Sequence, residues 1–159
     1  MALFPKIPDD AVYLSREDAA NPLAAWSKHE FELDGQLWPS VEHYFQAMKF
    51  SNPELQAQIR AAAHPRLAAA IARRNFWKKR RDWKKIQQVV MTRSTYIKCR
   101  THQEVAAALL ATGEQMIVED SVYDHYWGCG RDQRGHNYFG KILMAVRQRL
   151  RDEGNTRTE

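Results

Sequence analysis

The sequence predicts a mainly α fold, an irregular bundle of about six helices carrying one small β-hairpin. Three observations support it. Apolar residues recur at helical spacing in successive segments set off by caps and breakers. One segment alternates in apolar character around a tight-turn dipeptide. Neither an internal repeat nor a linker interrupts the 159 residues, so a single domain over 1–159 is expected.

The hairpin comes first. Phe31-Glu-Leu-Asp-Gly-Gln-Leu-Trp38 alternates around Asp34-Gly35, a pair that tolerates the positive φ angles of a type I′ turn. Pro39 and Ser40 then start a helix in which Val41, Tyr44, Phe45 and Met48 form a buried stripe, ending near Phe50. Asn52-Pro53 is a cap with proline at the first helical position, followed by Leu55, Ile59 and Ala62 on one face. His64-Pro65 restarts the chain for a short helix carrying Leu67 and Ile71. Asn75 to Arg81 reads as a basic loop containing Phe76 and Trp77, and a long helix with Trp83, Ile86, Val90, Ser94 and Ile97 on one side begins at Asp82.

Thr101-x-x-Glu104 reads as a capping box before Val105, Ala108 and Leu109, with Gly113 as the stop. Met116-Ile-Val118 is a candidate for one extra strand. Asp120 to Asn137, polar and studded with glycines, is expected to be a long ordered loop. Phe139, Ile142, Leu143, Val146 and Leu150 mark the last helix, and the polar tail from Asp152 to Glu159 is expected to be disordered.

Composition narrows the function classes. Apolar residues make up 44% and charged residues 27%, a globular balance. The longest apolar runs, such as Val105 to Ala111, are too short to cross a bilayer, and Met1 to Asp10 lacks the layout of a signal peptide, so a cytoplasmic protein without a membrane partner is expected. Cys99 and Cys129 are too few for a disulfide framework. The net charge of +5 is unevenly placed: Arg73 to Lys85 holds eight basic residues against Asp82 alone, a local +7 that leaves −2 elsewhere. This is the electrostatic pattern of a surface near an anionic ligand, although a solvated helix face would look the same.

The histidines show no metal-ligand spacing, and no phosphate loop, dinucleotide fingerprint or nucleophile elbow is present. No metal or cofactor is expected. Two constellations remain. On the helix after Pro39, Glu42, Gln46 and Lys49 project the same way opposite the apolar stripe, either as a plain polar face or, with Trp38 as a wall, as part of a pocket. Tyr123-Asp-His-Tyr-Trp-Gly-Cys-Gly130 puts a carboxylate, stacking rings and glycines on one loop.

Trp38-Pro-Ser-Val-Glu-His-Tyr-Phe-Gln-Ala-Met-Lys-Phe50, Tyr126-Trp-Gly-Cys-Gly130 and Gly135-His-Asn-Tyr-Phe-Gly-Lys-Ile-Leu-Met144 together resemble the YbiA/NADAR family of N-glycosidases, over about residues 31–150. The resemblance implies an α-rich fold and hydrolysis of phosphoribosylamino-pyrimidine intermediates of riboflavin synthesis; other members are implicated in removing ADP-ribose from guanine bases. It assigns functional carboxylates to Glu42 and Asp124 and functional tryptophans to Trp83 and Trp127. Gln46, Lys49, Gly128 and Asn137 fall in the same motifs as ligand contacts. Pro22-Leu-Ala-Ala-Trp26 departs from the family's Phe-Ser-Asn-Phe, removing a serine and an asparagine from the expected pocket.

These residue types suit the chemistry. Breaking a ribosyl C1–N bond builds positive charge on C1 and the ring oxygen, which Glu42 would stabilise while activating water. Asp124 would orient or protonate the leaving base if buried among Tyr123, Tyr126 and Trp127. Arg73 and its basic neighbours would hold phosphate, and Trp83 and Trp127 would stack or wall the ligand. Alternatively, Lys49 would attack C1 and form a Schiff base. The partners expected are therefore a small phosphorylated ribosyl substrate or an ADP-ribosylated nucleobase or nucleic acid. A non-catalytic nucleotide-binding protein is the third reading.

Overall fold

The structure is a computed structural model that describes residues 6–157. It contains six α-helices and two two-stranded sheets among those residues. The elements are β1 (Val12–Leu14), β2 (Phe31–Leu33), β3 (Gln36–Trp38), α1 (Val41–Ala47), α2 (Pro53–Arg60), α3 (Pro65–Arg74), α4 (Trp83–Thr101), α5 (Gln103–Leu110), β4 (Ile117–Glu119) and α6 (Tyr138–Thr156). Met1 to Pro5, half of the stretch read as unlike a signal peptide, and residues 158 and 159 lie outside the described residues. None of the described helices is long and apolar enough to cross a membrane.

The hairpin β2–β3 forms as its sequence dictates: Phe31 pairs with Trp38, and Asp34 and Gly35 take φ of 54° and 75°. Ser40 caps α1 by accepting from the His43 N–H, and Asn52 caps α2 by accepting from Glu54 and Leu55. Both Pro53 and Pro65 stand at first helical positions, where their missing N–H has no partner to lose. The core gathers Phe31, Trp38, Tyr44, Phe50, Met91 and Phe139, drawn from the hairpin, from helices α1, α4 and α6, and from the α1–α2 connection.

Five expectations change. There are two small sheets rather than one hairpin, because β4 pairs in parallel with β1, Val12 opposite Ile117. A three-residue strand carries no periodicity of its own, and its partner lies over a hundred residues away in sequence. Thr101 does not cap α5. It sits inside α4 with its hydroxyl donating to the Ile97 carbonyl, and His102 makes the break. In α3 the buried face is Ala68 and Ala72, which lets α1 pack close, while Leu67 is exposed. α1 stops at Ala47 with Met48 as its cap, short of Phe50. The tail from Asp152 is not disordered as far as Thr156, since α6 continues there: Glu153 accepts from Tyr96 and Arg100 on α4 and from Arg149 one turn back.

Candidate active site

All of α1 is buried, including the face that carries Glu42 and Gln46. Such a short helix has its apolar stripe against the core and its polar stripe against a second surface, an open cavity of about 670 Å³. Glu42 and Gln46 enter it from α1 and Lys49 from the turn just after it, Arg66, Leu67 and Arg73 from α3, and Trp83 and Gln87 from the start of α4. Asp124 and Trp127 come from the β4–α6 loop, and Arg16 and Trp26 from the β1–β2 connection.

Glu42 is 4% exposed and accepts from Gln46 Nε2 through Oε1 at 2.7 Å, the i,i+4 contact that its spacing predicts. Glu42 Oε2 and Gln46 Oε1 are buried with no hydrogen-bond partner among the described residues. Two buried acceptors without donors are costly in a folded core and point to a group that a ligand or water supplies. The Lys49 ammonium lies 5.2 Å from the Phe45 ring centre and 5.9 Å from that of Trp83. Burial pushes its pKa down from the usual lysine value, partly opposed by attraction to Glu42, with repulsion from Lys79, Arg16 and Arg73 adding to the fall.

Phe45 is the hinge of an aromatic wall: its ring centre lies 5.1 Å from Trp83 and 5.5 Å from Trp127, edge-to-face in both cases. Asp124 stands opposite, and the structure corrects its expected surroundings. Tyr123 is 85% exposed and does not cover it. Instead Oδ2 accepts from Arg16 Nη2 at 2.8 Å while Oδ1 accepts from the Tyr126 and Trp127 amides. With both oxygens engaged, Asp124 ties the loop that presents Trp127 to Arg16. Beneath it Glu119 is buried and accepts from the Arg16 and Ser121 amides. Desolvation raises the Glu119 pKa, and Arg16 opposes the rise.

Three expected contacts lie away from the cavity and hold the scaffold instead. Trp38 packs in the core on Tyr44, and its indole donates to the Leu33 carbonyl. Gly128 has no room for a Cβ, which would sit 2.3 Å from Glu119 Oε2. Asn137, at φ 53°, ties β4 to α6 by accepting from the Glu119 N–H and donating to the Ile117 carbonyl. Of the basic segment, Arg73 reaches the cavity wall, whereas Arg80 is spent on Asp82 outside it. Ala24 and Ala25 are fully buried and do not line the cavity, so the departure at Pro22 to Trp26 touches it through Trp26.

Arg16, Trp26, Phe45, Arg66 and Gln87 were not singled out by sequence. Phe45 carried a signal as a member of the Trp38 to Phe50 motif, and Trp26 as the end of the departing Pro22 to Trp26 segment. Among the described residues, no three His, Cys, Asp or Glu side chains converge as a metal set requires.

A buried carboxylate, an aromatic wall and several arginines line one cavity, an arrangement of the kind that glycosyl-bond hydrolysis requires. The chain belongs to the NADAR domain family, whose model matches residues 12–151, earlier than the motifs alone begin. It is similar to an N-glycosidase of Nostoc punctiforme, 38% identical over 130 residues that make up 80% of this chain and 83% of that one. N-glycosidase YbiA of Escherichia coli is 37% identical over 127 residues, 80% of this chain and 78% of its own. The NMR structure of E. coli YbiA superposes with a TM-score of 0.81 at 32% identity, covering 93% of this chain and 89% of that one. A riboflavin biosynthesis protein of Vibrio vulnificus is 38% identical over 120 residues, 76% of this chain and 33% of that protein. With relatives of that activity over most of its length, the chain is an enzyme of the class that hydrolyses N-glycosyl bonds.

Proposed function

We propose that the substrate is a phosphorylated ribosyl compound whose C1 carries a nucleobase-like amine, of the phosphoribosylamino-pyrimidine type found in riboflavin biosynthesis. The observation that carries this reading is Glu42, whose Oε2 is buried at the cavity with no donor among the described residues. In the first route the C1–N bond breaks, its electron pair leaves with the nitrogen, and Glu42 stabilises the positive charge on C1 and the ring oxygen. Water then adds to C1, giving one proton to Glu42, and the departing nitrogen gains a proton from solvent. Trp83 and Trp127 flank the flat base, and Arg66 and Arg73 suit the phosphate.

Lys49 supports a second route to the same products. An amine whose pKa is lowered by burial and that stands in the same cavity as Glu42 can attack C1 as the C1–N bond breaks and the base leaves; the resulting ribosylamine then opens, its C1–O bond breaking and the ring oxygen taking a proton, to give an iminium that water hydrolyses. Borohydride present during turnover would reduce that iminium to a stable adduct at Lys49; unmodified Lys49 leaves the direct route.

A second substrate reading is removal of ADP-ribose from guanine in nucleotides or nucleic acid. Phe76 and Trp77, 70% and 66% exposed amid the basic segment, favour it as a stacking surface for bases. The test is incubation of the protein and its Glu42→Gln variant with 5-amino-6-(5-phosphoribosylamino)uracil and, separately, ADP-ribosylated guanosine, following free base by mass spectrometry. Release of the aminouracil, abolished in the variant, is the expected result. Release of guanine alone moves the function to ADP-ribose removal, and release from neither substrate refutes both assignments.

A further inference from the structure

One buried ionisable group takes no part in that chemistry. Lys98, in the last turn of α4, is 2% exposed, and its ammonium donates to the Ala24 carbonyl at 2.8 Å. No acid pairs with it among the described residues. The ionisable groups around it are Cys99, its neighbour on α4, and His29 in the segment before β2; His29 in turn contacts His102 and Glu104. Burial lowers the Lys98 pKa to about 8 and raises that of Cys99 to about 11. Burial also lowers His29, with repulsion from Lys98 as the next cause.

An unpaired ammonium is among the most expensive groups to bury, and a methionine would fill the same space without that cost. What the ammonium adds is one directed hydrogen bond, and its acceptor sits at a junction. Ala24 O also accepts from the Ser27 amide, Ala25 O accepts from the Glu42 amide at 3.0 Å, and the Trp26 amide donates to the Arg16 carbonyl at 3.1 Å. Three consecutive residues are therefore tied to α4, to the first turn of α1 and to Arg16. Glu42, Trp26 and Arg16 all line the cavity.

We infer that Lys98 is a positioning residue for the active site, pinning the Ala24–Trp26 segment to α4 so that the Ala25 carbonyl fixes the start of α1 and Trp26 stands in the cavity wall. The reach of a single hydrogen bond is enough, because displacing a catalytic carboxylate by about 1 Å costs on the order of a hundredfold in rate. This inference depends on the glycosidase reading only for its activity readout.

The experiment pairs a substrate-free measurement with a kinetic one. In ¹H–¹⁵N spectra of the full chain, the Glu42 amide and Trp26 indole signals of the wild type are the reference. In Lys98→Met both should be displaced. The variant should bind substrate with KM changed by less than about threefold while kcat falls about tenfold or more. Lys98→Arg, which keeps a charged donor, should restore most of the turnover. Glu42 and Trp26 signals in Lys98→Met that match the wild type overturn the inference. Should Lys98→Met fail to fold, Lys98→Gln, whose shorter side chain does not reach the Ala24 carbonyl, takes its place with the same displacement expected and the same match to the wild type overturning the inference. If neither substrate is turned over, the spectra still test Lys98 while the assigned substrate fails separately.

Discussion

Arg16→Met removes the cation that holds Asp124, and its effect can be worked from the geometry. At 2.8 Å and an effective dielectric constant of about 20, the guanidinium–carboxylate attraction is about 6 kcal/mol. Desolvation and side-chain ordering cancel most of it at a half-buried site, leaving about 1–2 kcal/mol net. Asp124 keeps its two amide donors, so the loop should open more often without unfolding the core, by a factor of about 5–30. Hydrogen exchange at the Tyr126 and Trp127 amides should accelerate by that factor, while kcat/KM changes little as long as the closed loop stays the major population. Glu119 adds a pH signature. Its folded pKa is raised by burial and held back by Arg16, so the variant raises it further. A carboxylate raised on folding supports stability below its unfolded pKa and loses that support as pH rises towards the folded value, so the variant's stability deficit should be smaller near pH 4 than at pH 7. Unchanged amide exchange at Tyr126 and Trp127, alongside an intact fold, would refute the anchoring role of Arg16.

Gly128→Ala forces a Cβ to 2.3 Å from Glu119 Oε2 and 2.9 Å from the Asp124 carbonyl; a loss of about 2–4 kcal/mol in denaturant unfolding is expected, and a neutral result would contradict the packing. For Lys98, the unfolded chain holds its proton up to about 10.5 and the folded chain releases it near 8, so folding is favoured increasingly as pH rises through that window. The wild type should therefore gain up to about 3 kcal/mol relative to Lys98→Met between those values in paired chemical melts. Arg73→Ala should raise KM about tenfold for the phosphorylated substrate and leave the dephosphorylated nucleoside analogue unaffected, a contrast that steady-state kinetics reads directly.

The helices were legible because their ends are written locally. Asn52-Pro53, His64-Pro65 and Asp34-Gly35 impose their geometry through side-chain acceptors, a fixed φ or a tolerated positive φ within a few residues. Thr101-x-x-Glu104 shows the limit of that logic: the same pattern is outweighed when the preceding helix packs too well to stop, and His102 ends it one residue later. Leu67 and Ile71 mark α3 by hydropathy, and the structure separates them: α1 packs close on Ala68 and Ala72, Ile71 packs against the core, and Leu67 stands at the cavity rim.

The site divides along the same line. Glu42, Gln46 and Lys49 share a helix face by spacing alone, and the motifs of the NADAR family supplied Asp124, Trp83 and Trp127. Whether that face met water or a cavity depended on what covered it, and no periodicity distinguishes the two. The sequence by itself determined the helices, the hairpin and the chemical inventory, since each follows from interactions a few residues long. The tertiary structure alone decided that β1 pairs with β4, that Arg16 turns Asp124 into an anchor, and that Lys98 lies behind the site. Those contacts join residues 74 to 108 positions apart, where only the packed fold brings the partners together.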